Sequence, residues 1–303
     1  MIVGGIEAGG TKFACALLEV KSAEFDRPEI ISRCTIRTTT PPVTLAAAKD
    51  FFRMETTERG QQMDCLGIGC FGPVDVHLSS PTWGHVTSTP KPGWSGTDVA
   101  GYFRDQLNVT VAFDTDVNAA AYGEFLWGEG RGLKDFIYLT VGTGIGGGVF
   151  SGGSLVHGMT HPELGHVKVA REESDDFPGS CPYHRDCIEG MASGPALALR
   201  WSCPPESLPA DHQAWGIEAR YLARAIAAYA LVLSPERVLM GGGVGLRPGL
   251  AERVSAMVGE ELAGYVQPLA DPARIADFVR RPALGADAGL YGSAALALRF
   301  CMD

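Results

Sequence analysis

Two glycine-cornered hairpins constrain this chain more than any other feature. "IVGGIEAGGTKFACALL" (2–18) reads as an apolar strand, a turn at Ala8-Gly9-Gly10-Thr11 and a second apolar strand. "FIYLTVGTGIGGGVFSGG" (136–153) repeats the plan, with a strand to Val141, a turn through Gly142–Gly148 and a strand resuming at Val149. Each hairpin opens one half of the chain. The pair predicts a duplicated unit that holds a ligand between its halves.

Between the hairpins the chain alternates. Residues 44–62 read as helix, 63–72 as strand, 96–108 as helix and 109–116 as strand, with a further helix starting at about Asn118. The second half adds a long helix over 216–234, a strand and glycine turn over 237–245, and a closing helix over 287–300. This is α/β alternation with buried strands. It divides the chain into an N-terminal domain over 1–117 and a C-terminal domain over 118–286, followed by the closing helix. Within the latter, residues of about 160–215 form an insertion that concentrates Cys, His and Pro and shows little periodicity.

The formal net charge of −10, with no basic run, excludes nucleic acid and anionic membranes as expected partners. No stretch reaches the ~18 apolar residues of a membrane span. The eight cysteines (15, 34, 65, 70, 181, 187, 203 and 301) show no pairing framework, and a reducing cytoplasm is the expected compartment.

Three glycine turns (9–12, 142–148 and 241–245) each follow an apolar strand directly. Backbone N–H groups approach phosphate oxygens closely where no Cβ intervenes, so such turns suit phosphates. Neither a Walker loop nor a dinucleotide fingerprint is present. Lys12 can neutralise phosphate charge, or stand as a solvated hairpin lysine; Thr11 and Thr143 can donate hydroxyl hydrogen bonds. In "FDTDVNAAAYGE", Asp116 falls at the C-terminal end of a strand and beside a helix N-terminus, where open α/β sheets hold ligands. It reads either as a general base or as an N-cap, with Asp114 its rival in the same register. In "CPYHRDC", Cys181, His184 and Cys187 offer three metal ligands in C-x2-H-x2-C spacing. Tetrahedral zinc needs a fourth, for which His166 fits best and His157 and His161 compete.

Together these segments resemble the ROK sugar kinases, and within them the bacterial fructokinase branch. "GGIEAGGTK", "TDVNAAAYGE", "VGTGIGGG", "HPELGHVKV", "CPYHRDCIEGMASGPA" and "GGGV" occur in the family's order across nearly the whole chain. "TPKPGWSGTDV" (89–99) adds to the fructokinase likeness. The resemblance implies an actin/hexokinase-like fold, with two ribonuclease-H-like halves around a cleft, a zinc-binding loop, and the C-terminal helix over about 287–301 returning to the N-terminal domain. It implies ATP-dependent phosphorylation of a hexose, fructose favoured, with Mg²⁺ and a structural Zn²⁺, in a protein that is commonly a homodimer. Mannose or glucose as substrate, and a sugar-responsive regulator, are the alternatives.

By the same resemblance Asp116 is the catalytic base. Gly9, Gly10, Thr11 and Lys12 form the first phosphate loop, and Thr143, Gly144 and Gly146 belong to the second. Gly242 and Gly243 lie beside adenosine; Gly72 and Pro73 form a sugar loop. Glu163 and Glu189 accept hydrogen bonds from sugar hydroxyls. His166 meets the sugar with one ring nitrogen and zinc with the other, completing a set of His166, Cys181, His184 and Cys187. Glu7 stands where much of the family carries Asp, and its longer side chain would shift a metal-bound water.

Overall fold

The computed structural model describes residues 1–21 and 26–302. The chain divides into two compact units, and the first is assembled from three segments: Met1–Arg131, Leu155–His161 and the chain from Asp287 onward. In this unit β1 (Ile2–Ala8), β2 (Lys12–Glu19), β3 (Glu29–Arg37), β4 (Cys65–Cys70) and β5 (Thr110–Thr115) form one sheet in the order β3-β2-β1-β4-β5. β1 and β2 make the antiparallel hairpin expected from the sequence, while β4 and β5 run parallel to β1. Helix α1 (Pro41–Arg59) starts on two prolines, which need no N–H in a first turn, and stops at Gly60 in the left-handed region. Asp98 caps α2 (Val99–Leu107) by accepting the Gly101 N–H.

Strand β3 is absent from the sequence reading: its residues alternate between partly buried and exposed, and the charges at Glu29, Arg33 and Arg37 dilute the apolar signal of a sheet edge. The boundary also differs from the expected break after residue 117. Helix α3 (Asp116–Trp127) belongs to the first unit because it packs against the last helix of the chain, with Gly123 meeting Gly292 at a crossing too close for a Cβ.

In the second unit the sheet comprises β6 (Phe136–Val141), β7 (Ile145–Ser151), β8 (Ser154–Leu155), β9 (Arg237–Gly241) and β10 (Val279–Arg280), ordered β10-β9-β6-β7-β8. Read from β8, this repeats the first sheet: an antiparallel hairpin (β6, β7), then β9 parallel to β6 and β10 parallel to β9. The duplication expected from the two hairpins is therefore present strand for strand. Around this sheet lie α4 (Ile188–Ala192), α5 (Gly194–Trp201), α6 (Ala214–Leu233), α7 (Gly242–Gly245), α8 (Leu250–Leu262) and α9 (Pro272–Ala276). The closing helix α10 (Ala288–Met302) returns to the first unit and packs on β1, β4 and α3. Glycine makes this possible at β4: a Cβ on Gly67 would fall 1.7 Å from the Ser293 carbonyl oxygen.

Two expectations change. Gly146, Gly147 and Gly148 lie in β7, not in the turn, which narrows to Gly142-Thr143-Gly144. The small size of Gly147 serves packing instead, since a Cβ there would overlap the Leu164 side chain at 2.4 Å. The cysteines are also not all unpaired: Cys65 of β4 is bonded to Cys301 of α10.

Candidate functional site

Parallel register brings three predicted segments of the first unit to one sheet edge. Ala8 of β1 lies opposite Cys70 of β4, and Cys70 opposite Thr115 of β5. The residues that follow these strand ends are Gly9–Thr11, Phe71–Pro73 and Asp116. The first glycine turn, the Gly72-Pro73 loop and Asp116 thus emerge together at the carboxyl ends of parallel-aligned strands.

The first turn is tightly held. Gly9 N–H donates to the Lys12 carbonyl at 2.9 Å, Thr38 Oγ1 donates to the Gly9 carbonyl at 2.8 Å, and Lys91 Nζ donates to the Gly10 carbonyl. A Cβ on Gly10 would meet nothing within 4 Å, so its backbone faces open space. Thr11 and Lys12 are exposed. Behind the turn, Glu7 is half-buried; its partial burial raises its carboxyl above the ordinary value, against the lowering influence of Lys12. The extra methylene of Glu7 occupies space left by Gly289 of α10, where a Cβ would come within 2.5 Å of Glu7 Cδ.

The alternatives for Asp116 separate by capping geometry. Thr115, not Asp116, caps α3, its Oγ1 accepting the Asn118 N–H at 3.0 Å. Asp116 is the first helical residue, half-buried, with Oδ1 2.9 Å from the Val117 N–H. Asp114 is buried and engaged: Oδ1 accepts from Thr115 N–H and Asn118 Nδ2, both at 2.7 Å, and Oδ2 pairs with His157 Nε2 at 2.9 Å. In the sugar loop, the Pro73 carbonyl accepts from Thr87 N–H at 2.8 Å, and Val74 N–H donates to His161 Nε2 at 3.2 Å.

In the second unit the register Thr140↔Gly241 brings the Gly142–Gly144 turn and the Gly242–Gly243 segment to one edge. Gly242 has φ +82° and presses against Val141, where a Cβ would lie 2.4 Å from the carbonyl oxygen, so only glycine fits. A cavity of about 670 Å³ opens here, lined by Thr143, Glu206, Trp215, Gly243 and Arg247 among others. That volume lies within the range of small-ligand pockets. Arg247 stacks 3.7 Å over the Trp215 ring and donates to the Leu208 carbonyl at 3.0 Å. A second cavity of about 590 Å³, between the ends of α1 and α2, includes none of the predicted site residues.

Glu189, in the first turn of α4, reaches the same edge: Oε2 accepts the Ile145 N–H at 3.0 Å. Burial, and the charge of Glu189 nearby, push Glu163 up to about 7. Glu163 Oε2 lies 4.0 Å from His166 Nε2, while Nδ1 of the same ring turns to Cys181 Sγ at 3.8 Å and Cys187 Sγ at 3.6 Å. His184 Nδ1 completes the group, 3.8 Å from Cys181 Sγ. All four ligand atoms lie within 4.8 Å of one another. Tetrahedral zinc with bonds of about 2.1 Å to nitrogen and 2.3 Å to sulfur requires N···S edges of about 3.6 Å. These residues fit that ion. The scaffold is rigid: Tyr229 Oη of α6 donates to the Leu164 carbonyl at 2.5 Å, and Ile188 N–H to the Val167 carbonyl at 2.8 Å. His157 and His161, the competing fourth ligands, are engaged elsewhere, in the first unit.

The whole chain has known relatives. The model of the ROK family matches residues 3–299. A fructokinase of Zymomonas mobilis is 40% identical over 98% of this chain and 96% of its own, and one of Pediococcus pentosaceus is 37% identical over 98% of each. The crystal structure of a ROK hexokinase from Thermus thermophilus superposes with a TM-score of 0.76 at 27% identity, covering 100% of both chains. The chain belongs to the ROK family.

Its fold is accordingly the actin-like two-domain α/β fold of the ROK hexokinases. For this ROK chain the sequence reading missed Trp215 and Arg247, which wall the cavity beside Gly243, and the roles of His157 and His161. Arg247 closely follows the glycine-rich segment, but Trp215 lies more than twenty residues before it, so no local signal joins the pair. The two histidines sit in "HGMTHPE", where their number alone suggested ligands.

Proposed function

We propose that this chain is an ATP-dependent fructokinase that transfers the γ-phosphoryl group to fructose, giving fructose 6-phosphate and ADP. The observation that supports fructose over other hexoses is the 37–40% identity, over nearly the whole chain, to fructokinases. Asp116 takes the proton from the sugar hydroxyl as its oxygen attacks the γ-phosphorus and the bond to the bridging oxygen of ADP breaks. The amides of Gly9, Gly10, Gly142 and Gly144, with Thr11, Lys12 and Thr143, offset phosphate charge. Gly242 and Gly243 border the adenosine, and Trp215 and Arg247 wall its cavity. Gly72 and Pro73, with Glu163, His166 and Glu189, bind the sugar; the proximity that raises Glu163 is relieved when hydroxyl donors share the two carboxylates.

Mg²⁺, when bound with ATP, supplies further charge compensation, with Glu7 the nearest carboxylate of the first turn. His166, Cys181, His184 and Cys187 would hold Zn²⁺, which would supply a structural cross-link. A cytoplasmic site of action follows from ATP as donor, and among the described residues no helix is long and apolar enough to cross a membrane. A homodimer is part of the same reading, to be checked by sedimentation.

The test is coupled ADP release with a hexose panel. Fructose should give the highest kcat/KM, and Asp116→Asn should abolish turnover while leaving sugar binding within about tenfold, a change of ~1.4 kcal/mol. Sugar-independent nucleotide binding without ADP release would point to a regulator, and a preference for glucose or mannose would overturn the substrate.

A further inference from the structure

The stretch Leu155–His161 joins the first unit from the middle of the chain and carries two histidines that have no part in the proposed chemistry. His157 Nε2 lies 2.9 Å from Asp114 Oδ2. Asp114 holds Thr115 N–H and Asn118 Nδ2 on its other oxygen, and Thr115 Oγ1 holds the Asn118 N–H. The residues two before and two after Asp116 are therefore clamped together, and His157 closes the clamp from outside. The backbone between them sets the direction of the Asp116 carboxylate. His161 is buried, and its Nε2 accepts the Val74 N–H at 3.2 Å. Its ring also lies against Gly72, where a Cβ would come 3.2 Å from Cε1. Between the two, the Met159 carbonyl meets His77 Nε2 at 3.0 Å. One short strap thus touches both the turn that presents Asp116 and the loop of Gly72 and Pro73.

We propose that His157 and His161 are positioning residues for phosphoryl transfer: His157 orients Asp116 through Asp114 and Asn118, and His161 holds the sugar loop through Val74. This rests on Asp116 being the base. The two histidines act on different parts of the reaction, so their kinetic effects separate. His157 bears on proton transfer in the transition state, where a displacement of about 1 Å costs roughly 100-fold. His161 bears on ground-state sugar binding.

The experiment compares kcat and fructose KM, with thermal melts, for H157A, H157Q, H161A and D116N. H157A should lower kcat about 10- to 100-fold with KM changed less than about threefold. In H157Q the amide nitrogen reaches the place of Nε2 and should restore most of the turnover. H161A should raise KM about tenfold with a smaller change in kcat. Wild-type kcat in H157A, or H157Q as slow as H157A, overturns the role of His157. Equal changes of kcat and KM in H157A and H161A, tracking a lowered Tm, reduce both residues to scaffolding and overturn the proposal. If H157A does not fold, H157N replaces it; the shorter amide cannot reach Asp114, so turnover should fall in H157N and not in H157Q. Surviving turnover in D116N removes the base assignment itself. An inert D116N beside a fully active H157A removes only the positioning role of His157.

Discussion

Glu189 ties the proposed sugar site to the second phosphate turn, and the cost of cutting that tie can be worked out. Its Oε2 accepts the Ile145 N–H at 3.0 Å, immediately after the Gly142–Gly144 turn. Gly144 leaves room for the carboxylate: a Cβ there would stand 2.7 Å from Oε2. Ile145 is only 3% exposed, so water does not readily replace the lost acceptor. In Glu189→Ala the buried N–H stays unsatisfied at a cost of about 1–3 kcal/mol. The free protein relaxes by opening the turn to water, and nucleotide binding must close it again. The penalty therefore appears in affinity, as roughly 5- to 150-fold at 1.4 kcal/mol per tenfold. Glu189→Gln keeps an acceptor oxygen and loses only the charge, a difference of about 1 kcal/mol, or roughly fivefold. Calorimetric titration with a non-hydrolysable ATP analogue, in the absence of sugar, measures both variants. Wild-type nucleotide affinity in Glu189→Ala would refute the coupling and leave Glu189 a sugar ligand alone.

Two other perturbations follow from the geometry. Removing metal with a chelator should weaken fructose binding more than binding of the ATP analogue, because His166 belongs to the cluster and also lies 4.0 Å from Glu163. Metal analysis should return about one zinc per chain before treatment, and full sugar affinity in the stripped protein would dissociate the cluster from the sugar site. Gly292→Ala drives a Cβ to 1.9 Å from the Ala119 carbonyl oxygen, whereas a Cβ on Gly216 meets nothing within 4 Å. The first should destabilise by about 1–3 kcal/mol or more and lower Tm by several degrees. The second substitution, Gly216→Ala, should stabilise helix α6 by about 0.5–1 kcal/mol; melts in the reverse order would contradict the close crossing of α3 and α10.

Most of the strand order was legible because buried parallel strands such as "CLGIGC" and "FIYLTV" are short apolar runs that end at turns. Strand β3 was not, because an edge strand with exposed Glu29, Arg33 and Arg37 carries a mixed pattern. Gly146, Gly147 and Gly148 misled in the opposite direction. Glycine density suggests a turn locally, but Gly147 answers the bulk of Leu164, a residue no window around 146 contains. Three members of the Cys/His cluster could be read from spacing, since Cys181, His184 and Cys187 lie within seven residues, whereas spacing left His166 in competition with His157 and His161. The cavity walls could not: Thr143, Glu206, Trp215 and Arg247 come from separate segments, and only the fold brings them together. His157 and His161 show the same limit, since their partners Asp114 and Val74 lie 43 and 87 residues away.

The place of α10 has a consequence for biosynthesis. The five strands of the first sheet leave the ribosome well before the helix that packs on β1 and β4, with Gly67 seated against Ser293. Until then that face of the sheet is covered only in part, by α3 against β4 and β5. The second unit contains its sheet and helices between residues 132 and 286 and can close before the first is complete. The first unit is thus the later of the two to mature, and any premature stop upstream of residue 288 releases a protein whose first sheet stays partly bare and prone to aggregation.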